Sequence, residues 1–207
     1  MTRLYINDHE VSSLPPDLIS LEQVINLVET RHLTPDTVIR HVQIDGRPLI
    51  QDGRAGGLPD RIDDREKVEI FTSTLREIAL DSSRDAITFL ERVELAIPSL
   101  ASGFRTRAGS EDFENLKQLY EGFYWVNLLL DRLERSFQVP LETLCVSGGN
   151  AREQYLKLAP LLKEVIEAQE KRDFGLVADL LEYEVPTLIP ACKELVAAVR
   201  ARILEQE

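Results

Sequence analysis

A chain of 207 residues with 43% hydrophobic and 29% charged side chains has the make-up of one or two globular domains. Its 36 acidic and 24 basic residues leave a net charge of −12, without the basic footprint that nucleic acid or an anionic membrane surface requires. No stretch is long and apolar enough to span a bilayer, and Asn7, Asp8 and His9 interrupt the start before any run of signal-peptide length, so neither a membrane span nor a secretory signal is expected.

Residues 3–7 (Arg-Leu-Tyr-Ile-Asn) alternate as a short strand does. Asn7-Asp8-His9-Glu10 supplies turn chemistry and Val11-Ser12-Ser13 can return. Pro15-Pro16 breaks the chain. Ser20 suits the N-cap of a helix over 21–33, where Leu21, Val24, Ile25 and Val28 follow helical spacing, and Thr34-Pro35-Asp36 ends it. A strand over 38–44, the Asp45-Gly46 turn and a strand over 47–50 read as a hairpin. Residues 51–65 read as a polar loop and 67–72 as a final strand.

This order, two strands, a helix, two strands and a late fifth, with the Ile44-Asp45-Gly46-Arg47 turn, resembles the β-grasp or ubiquitin-like fold over residues 1–72. Sulfur carriers and protein modifiers of that fold end in a free Gly-Gly. Gly56-Gly57 and Gly148-Gly149 are internal here, so that chemistry is not expected. A [2Fe-2S] version would need four clustered cysteines, and this segment has none. The resemblance therefore implies a binding surface, on the sheet face or an edge strand. The loop Gly53-Arg54-Ala55-Gly56-Gly57 lacks the Lys-Ser/Thr of a P-loop and is expected to be flexible rather than phosphate-binding.

From residue 74 onward the pattern is helical throughout, with no further strand expected. Leu75, Ile78, Ala79, Ala86, Phe89, Leu90, Val93 and Ile97 mark a long helix with Pro98 near its end and Gly103 closing it. Ser110-Glu111-Asp112 suits the start of a second, running to about Phe137, where Val139-Pro140 stops it. A connector over 141–150 leads to a helical hairpin over 151–205. Its arms carry Tyr155, Leu158, Leu162, Val165 and Gln169, then Val177, Leu181, Leu188, Cys192, Leu195, Val199 and Ile203; Asp173 is the N-cap of the second arm and Gly175 a break. Four helices predict an antiparallel four-helix bundle over residues 73–207. Pro98, Pro160, Pro186 and Pro190 predict kinks, and the Pro186/Pro190 pair could instead open a groove or hinge.

No catalytic, cofactor or metal signature emerges. Cys145 and Cys192 lie far apart and read as two reduced, partly buried thiols, a disulfide being the alternative. Asp179, Glu182 and Glu184 read as a solvated acidic face, with metal capture, acid–base work or a basic partner as alternatives. The second helix is the informative one. At about 100° per residue, Leu119, Phe123, Val126, Leu130, Leu133 and Phe137 share its core stripe, whereas Trp125, Leu128 and Leu129 fall on a sector that should meet water, with Tyr120 and Tyr124 as its rim. That sector is expected to be covered by the β-grasp domain, a second copy of the chain or a different protein. The overall expectation is an α+β cytoplasmic protein, a non-enzymatic adaptor or chaperone-like regulator and a homodimer. The alternative is an enzyme or small-ligand binder with a site between the domains built from Arg40, His41, Arg47 and bundle residues.

Overall fold

The computed structural model is α+β and describes residues 2–13, 20–51, 54–55, 67–146 and 149–206. It falls into two compact units, Met1–Ile78 and Ala79–Glu207.

The first unit is built on β1 (Arg3–Ile6), β2 (His9–Ser13), α1 (Leu21–Arg31), β3 (Thr37–Ile44), β4 (Arg47–Gln51), β5 (Arg54–Ala55) and β6 (Lys67–Thr74). The strands form one mixed sheet in the order β2-β1-β6-β3-β4-β5, with β1 and β6 parallel and the other pairs antiparallel. Two turns set its register. Asn7 and Asp8, then Asp45 and Gly46, all have positive φ, the left-handed backbone that a two-residue hairpin requires. The first residue of each turn also grips β6: Asn7 Oδ1 accepts from Thr72 N–H at 2.8 Å and Asp45 Oδ1 from Lys67 N–H at 2.8 Å. α1 begins in a capping box between Ser20 and Gln23. Its Leu21, Val24 and Val28 close over Leu4, Val42, Ile44, Val68 and Ile70. Pro15-Pro16 and Gly53, Gly56 and Gly57 lie outside the described residues, and Arg54–Ala55, expected within the loop, extends the sheet beside β4.

The second unit holds α2 (Leu75–Arg107), α3 (Ser110–Phe137), α4 (Ala151–Glu170), α5 (Phe174–Asp179) and α6 (Val185–Glu205), α2 starting within the first unit. α2 runs through Pro98 and past Gly103, so neither ends it; the link to α3 is only Ala108-Gly109. Gly109 is the N-cap of α3 and Ser110 its first residue. The capping bond is made by Asp112, whose Oδ2 accepts from Gly109 N–H at 2.8 Å. Between α3 and α4 lie a 3-10 turn (Leu141–Thr143) and a small hairpin, β7 (Cys145–Val146) with β8 (Gly149–Asn150), strands the helical pattern does not announce.

Asp173 caps α5 by accepting from Leu176 N–H at 3.1 Å, and the turn before it uses Arg172 at φ 57. Gly175 lies inside α5 and breaks nothing. The interruption comes later, as a π turn at Leu180–Glu184 whose wide loop ends where Val185 N–H reaches Leu180 O. Pro186 follows at once. A proline lacks the amide hydrogen and crowds the preceding turn, and a widened turn is how a helix accommodates that crowding. The second arm is thus two α-helices joined by a π turn. Two buried clusters run through this unit: one around Leu90, Ile97, Phe104, Phe123, Val165 and Leu181, the other around Val126, Leu130, Leu141, Leu195 and Ile203.

Candidate functional site

The site is a groove between α2 and α3, and two glycines fix its ends. Phe104 meets Phe113 with ring centroids 5.4 Å apart, and Phe89 lies against Gly122, so the two helices run antiparallel. A Cβ at Gly103 would lie 2.1 Å from Asp112 Oδ1; one at Gly122 would lie 2.0 Å from Phe89 Cζ. A methyl at either position would force the carboxylate at one end or the phenyl ring at the other to shift. The groove lined from Phe89 to Leu119 has a volume of about 560 Å³, within the range of built binding sites.

Its floor is Val93, Ile97, Leu100 and Leu119, all buried. Its walls are exposed: Arg92, Ala96 and Ser99 from α2, Glu111, Asn115 and Gln118 from α3. Two large apolar side chains outside the groove lining are exposed on the same two helices. Leu95, one turn from both Arg92 and Ser99 on α2, is 83% exposed, and Trp125, two turns beyond Gln118 on α3, is 38% exposed. Phe89 connects the rim to the interior. Its ring meets Phe123 edge-on at 5.9 Å and Trp125 edge-on at 6.5 Å. Trp125 is thereby held in place on one side and left open on the other.

The five residues expected to make one surface do not make one. Leu119, Phe123, Val126, Leu130 and Leu133 are buried, as the core stripe requires. Leu128 and Leu129 are half-buried rather than solvent-facing, and Leu129 packs against the second core cluster. Tyr124 is 67% exposed, whereas Tyr120 is half-buried against the first cluster. The Tyr120 hydroxyl is enclosed with no hydrogen-bond partner among the described residues, and that desolvation pushes its pKa up. The reason is angular: Tyr120 and Tyr124 lie about 140° and 100° from Trp125 around α3, on the far side of the core stripe. Trp125 belongs with Phe89 of α2, and Tyr124 stands apart. Leu95 escapes a reading that looks for apolar stripes, because the residues one turn away from it, Glu91, Arg92, Pro98 and Ser99, carry no large aliphatic side chain.

The acidic residues of the last arm are not merely solvated. Arg105 of α2 reaches across the unit to pair with Asp179 at 2.5 Å and with Glu182 of the π turn. That ties the widened turn to the longest helix. Tyr183 and Glu184 stay exposed. His41 of β3 stacks edge-on with Phe71 at 6.0 Å, and Arg47 is exposed at the start of β4. Both cysteines are free; Cys145 is exposed rather than partly buried, and Cys192 is buried, its pKa pushed up to about 11 by desolvation. Among the described residues no three His, Cys, Asp or Glu side chains gather as a metal site, and no helix is long and apolar enough to cross a membrane.

A family model described as "Domain of unknown function (DUF8042)" matches residues 81–196, a span that contains both walls of the groove. No curated protein and no solved structure matches the chain.

Proposed function

Since the chain belongs to the DUF8042 family, matched over the residues that carry the groove, we propose its function from that groove: a non-enzymatic protein-interaction module, an adaptor or chaperone-like regulator. The observation that carries this reading is the groove's floor of buried aliphatic side chains, with Trp125 exposed against Phe89 at one end of it. A groove with a buried aliphatic floor and polar walls suits a helix laid along it. Tryptophan favours protein contacts because it brings a large area at small entropic cost.

The scaffold we infer is a β-grasp domain in residues 1–72 followed by a four-helix bundle in residues 73–207, with α5, the π turn and α6 counted as one rod. The central parallel pairing of β1 with β6 and the strand order support the first part. The clusters shared by α2, α3, α4 and α6 support the second.

The test is Trp125→Ala combined with Leu95→Ser, with mass in solution by light scattering and capture of partners from the native source. Both positions are exposed, so the fold should survive, and the double variant should lose either self-association or its captured partner. Leu129→Glu would be a poor choice, because a charge placed against the second core cluster perturbs folding itself. If neither mass nor capture changes, the groove is not an interaction surface. A shift from dimer to monomer would identify the partner as a second copy.

A further inference from the structure

We propose that the α2–α3 groove seats a short basic amphipathic helix donated by another protein. This rests on reading the groove as a protein-docking surface, and adds the chemistry of the partner.

Length comes first. The α2 wall runs from Phe89 to Leu100, about 16 Å at 1.5 Å per residue, which matches about three turns of a bound helix. Such a helix would place apolar residues at spacings of three and four over Val93, Ile97 and Leu119.

Charge selects the partner. Glu111, Glu114, Gln118, Glu121 and Trp125 recur at alternating spacings of three and four, which makes them one stripe on α3, of which Glu111 and Gln118 line the groove and the rest continue along its outer edge. All five are exposed. Glu121 has only a 3.9 Å contact with Lys117, and Glu111 and Glu114 have no ion pair or hydrogen bond among the described residues. A docking helix with Lys or Arg flanking its apolar stripe would meet these carboxylates. Arg92 alone carries positive charge on the walls, leaving room for one acidic residue on the partner's opposite flank. A second copy of the chain is a poor fit: with a net charge of −12 it would bring like charge to an acidic rim.

Trp125 is the only tryptophan in the chain and reports on occupancy through Phe89, the lining residue it packs against. The probe is a synthetic Leu/Lys peptide of about 14 residues with leucine on one helical face. Two controls go with it: the same peptide with Glu for Lys, and a same-composition scramble with leucine on all faces. Binding of the Leu/Lys peptide should shift Trp125 emission to the blue. The Glu and scrambled peptides should bind at least about tenfold more weakly. Ala96→Phe, which fills the groove without changing charge, should weaken the Leu/Lys peptide at least about tenfold, and so should the triple E111Q/E114Q/E121Q, with a flatter dependence on salt. Ser99→Phe serves the same purpose if Ala96→Phe lowers helicity by circular dichroism.

Three results overturn the proposal: no binding, equal binding of the scramble, or unchanged binding to both filled variants. If Trp125→Ala with Leu95→Ser still abolishes a captured partner while the Leu/Lys peptide is ignored, the docking surface stands and the partner chemistry is wrong. Conversion of a dimer to a monomer by Ala96→Phe assigns the groove to a second copy, which also overturns it.

Discussion

The helical unit contains two long antiparallel pairs, and they are packed on opposite principles. Where α4 meets α5 and α6, aliphatic residues of mixed size fill the contact: Ala168, Ala178, Val165, Val177 and Val185 together with Leu158, Leu181 and Ile189. The Cα atoms of α4 and α6 come within 8 Å of one another at several positions. Where α2 meets α3, rings do the packing. Phe89, Phe104, Phe113 and Phe123 fill the contact, and glycine is needed opposite Phe89 and Asp112 to accommodate them. Interleaved aliphatic side chains bring the one pair close; phenylalanines prop the other at its ends and leave a trough between. The closed pair holds the fold, and the open pair carries the surface.

The largest effect should come from the ring that serves both roles. Phe123 is buried in the first cluster and supports Phe89, which in turn supports Trp125. Phe123→Ala should cost about 3–5 kcal/mol in denaturant unfolding and shift Trp125 emission to the red. A cost without the spectral shift would break the link between core and rim. The closed pair offers a pH test of comparable kind. Burial holds the Cys192 thiol neutral up to about 11, above its ordinary 9.0. Because the folded-state value is raised, the stabilisation is fully present below pH 9. It is lost as the pH climbs from about 9 to 11, where only the unfolded chain releases the proton. The loss should amount to about 2–3 kcal/mol, and Cys192→Ala should remove it, leaving what the likewise raised Tyr120 hydroxyl contributes above pH 10.

How much of this is written in the chain depends on the range of the forces involved. The turn signals of the sheet unit, Asn7-Asp8 and Asp45-Gly46, act over a few residues, and each sits where the local chemistry places it. The Ser20 and Asp173 caps and the core stripe of α3 are equally local. Gly103 and Gly175 mislead for one reason: a glycine in a helix reads as a break, yet Gly103 exists to admit Asp112 from another helix, and Gly175 is carried by the Asp173 cap. The acidic run of the last arm likewise shows no partner in sequence, because Arg105 lies more than seventy residues away. Of the five surface candidates, Trp125 alone belongs to the groove rim. What placed it there is Phe89, a contact between helices that periodicity within one helix cannot register.

Gly122→Ala separates the open pair from the closed one more finely than a core deletion does. In an unconstrained helix the change stabilises by about 1 kcal/mol. Here the added methyl meets a ring that has little freedom to yield, an overlap that typically costs about 1–3 kcal/mol. The sum should be a loss of about 1 kcal/mol, with Phe89 displaced and Trp125 emission shifted to the red. A net gain with unchanged emission would mean the ring turns aside freely and does not prop the groove open.

The smallest change tests the other pair's turn. Asp173→Ala removes the side-chain acceptor for Leu176 N–H and should cost about 1 kcal/mol. It should leave Trp125 emission unmoved, since Asp173 lies at the start of α5 and the groove is built from α2 and α3 alone. If emission moved with Asp173→Ala as it does with Gly122→Ala, the two pairs would be one cooperative element, and the division between a closed pair and an open, grooved one would have to be given up.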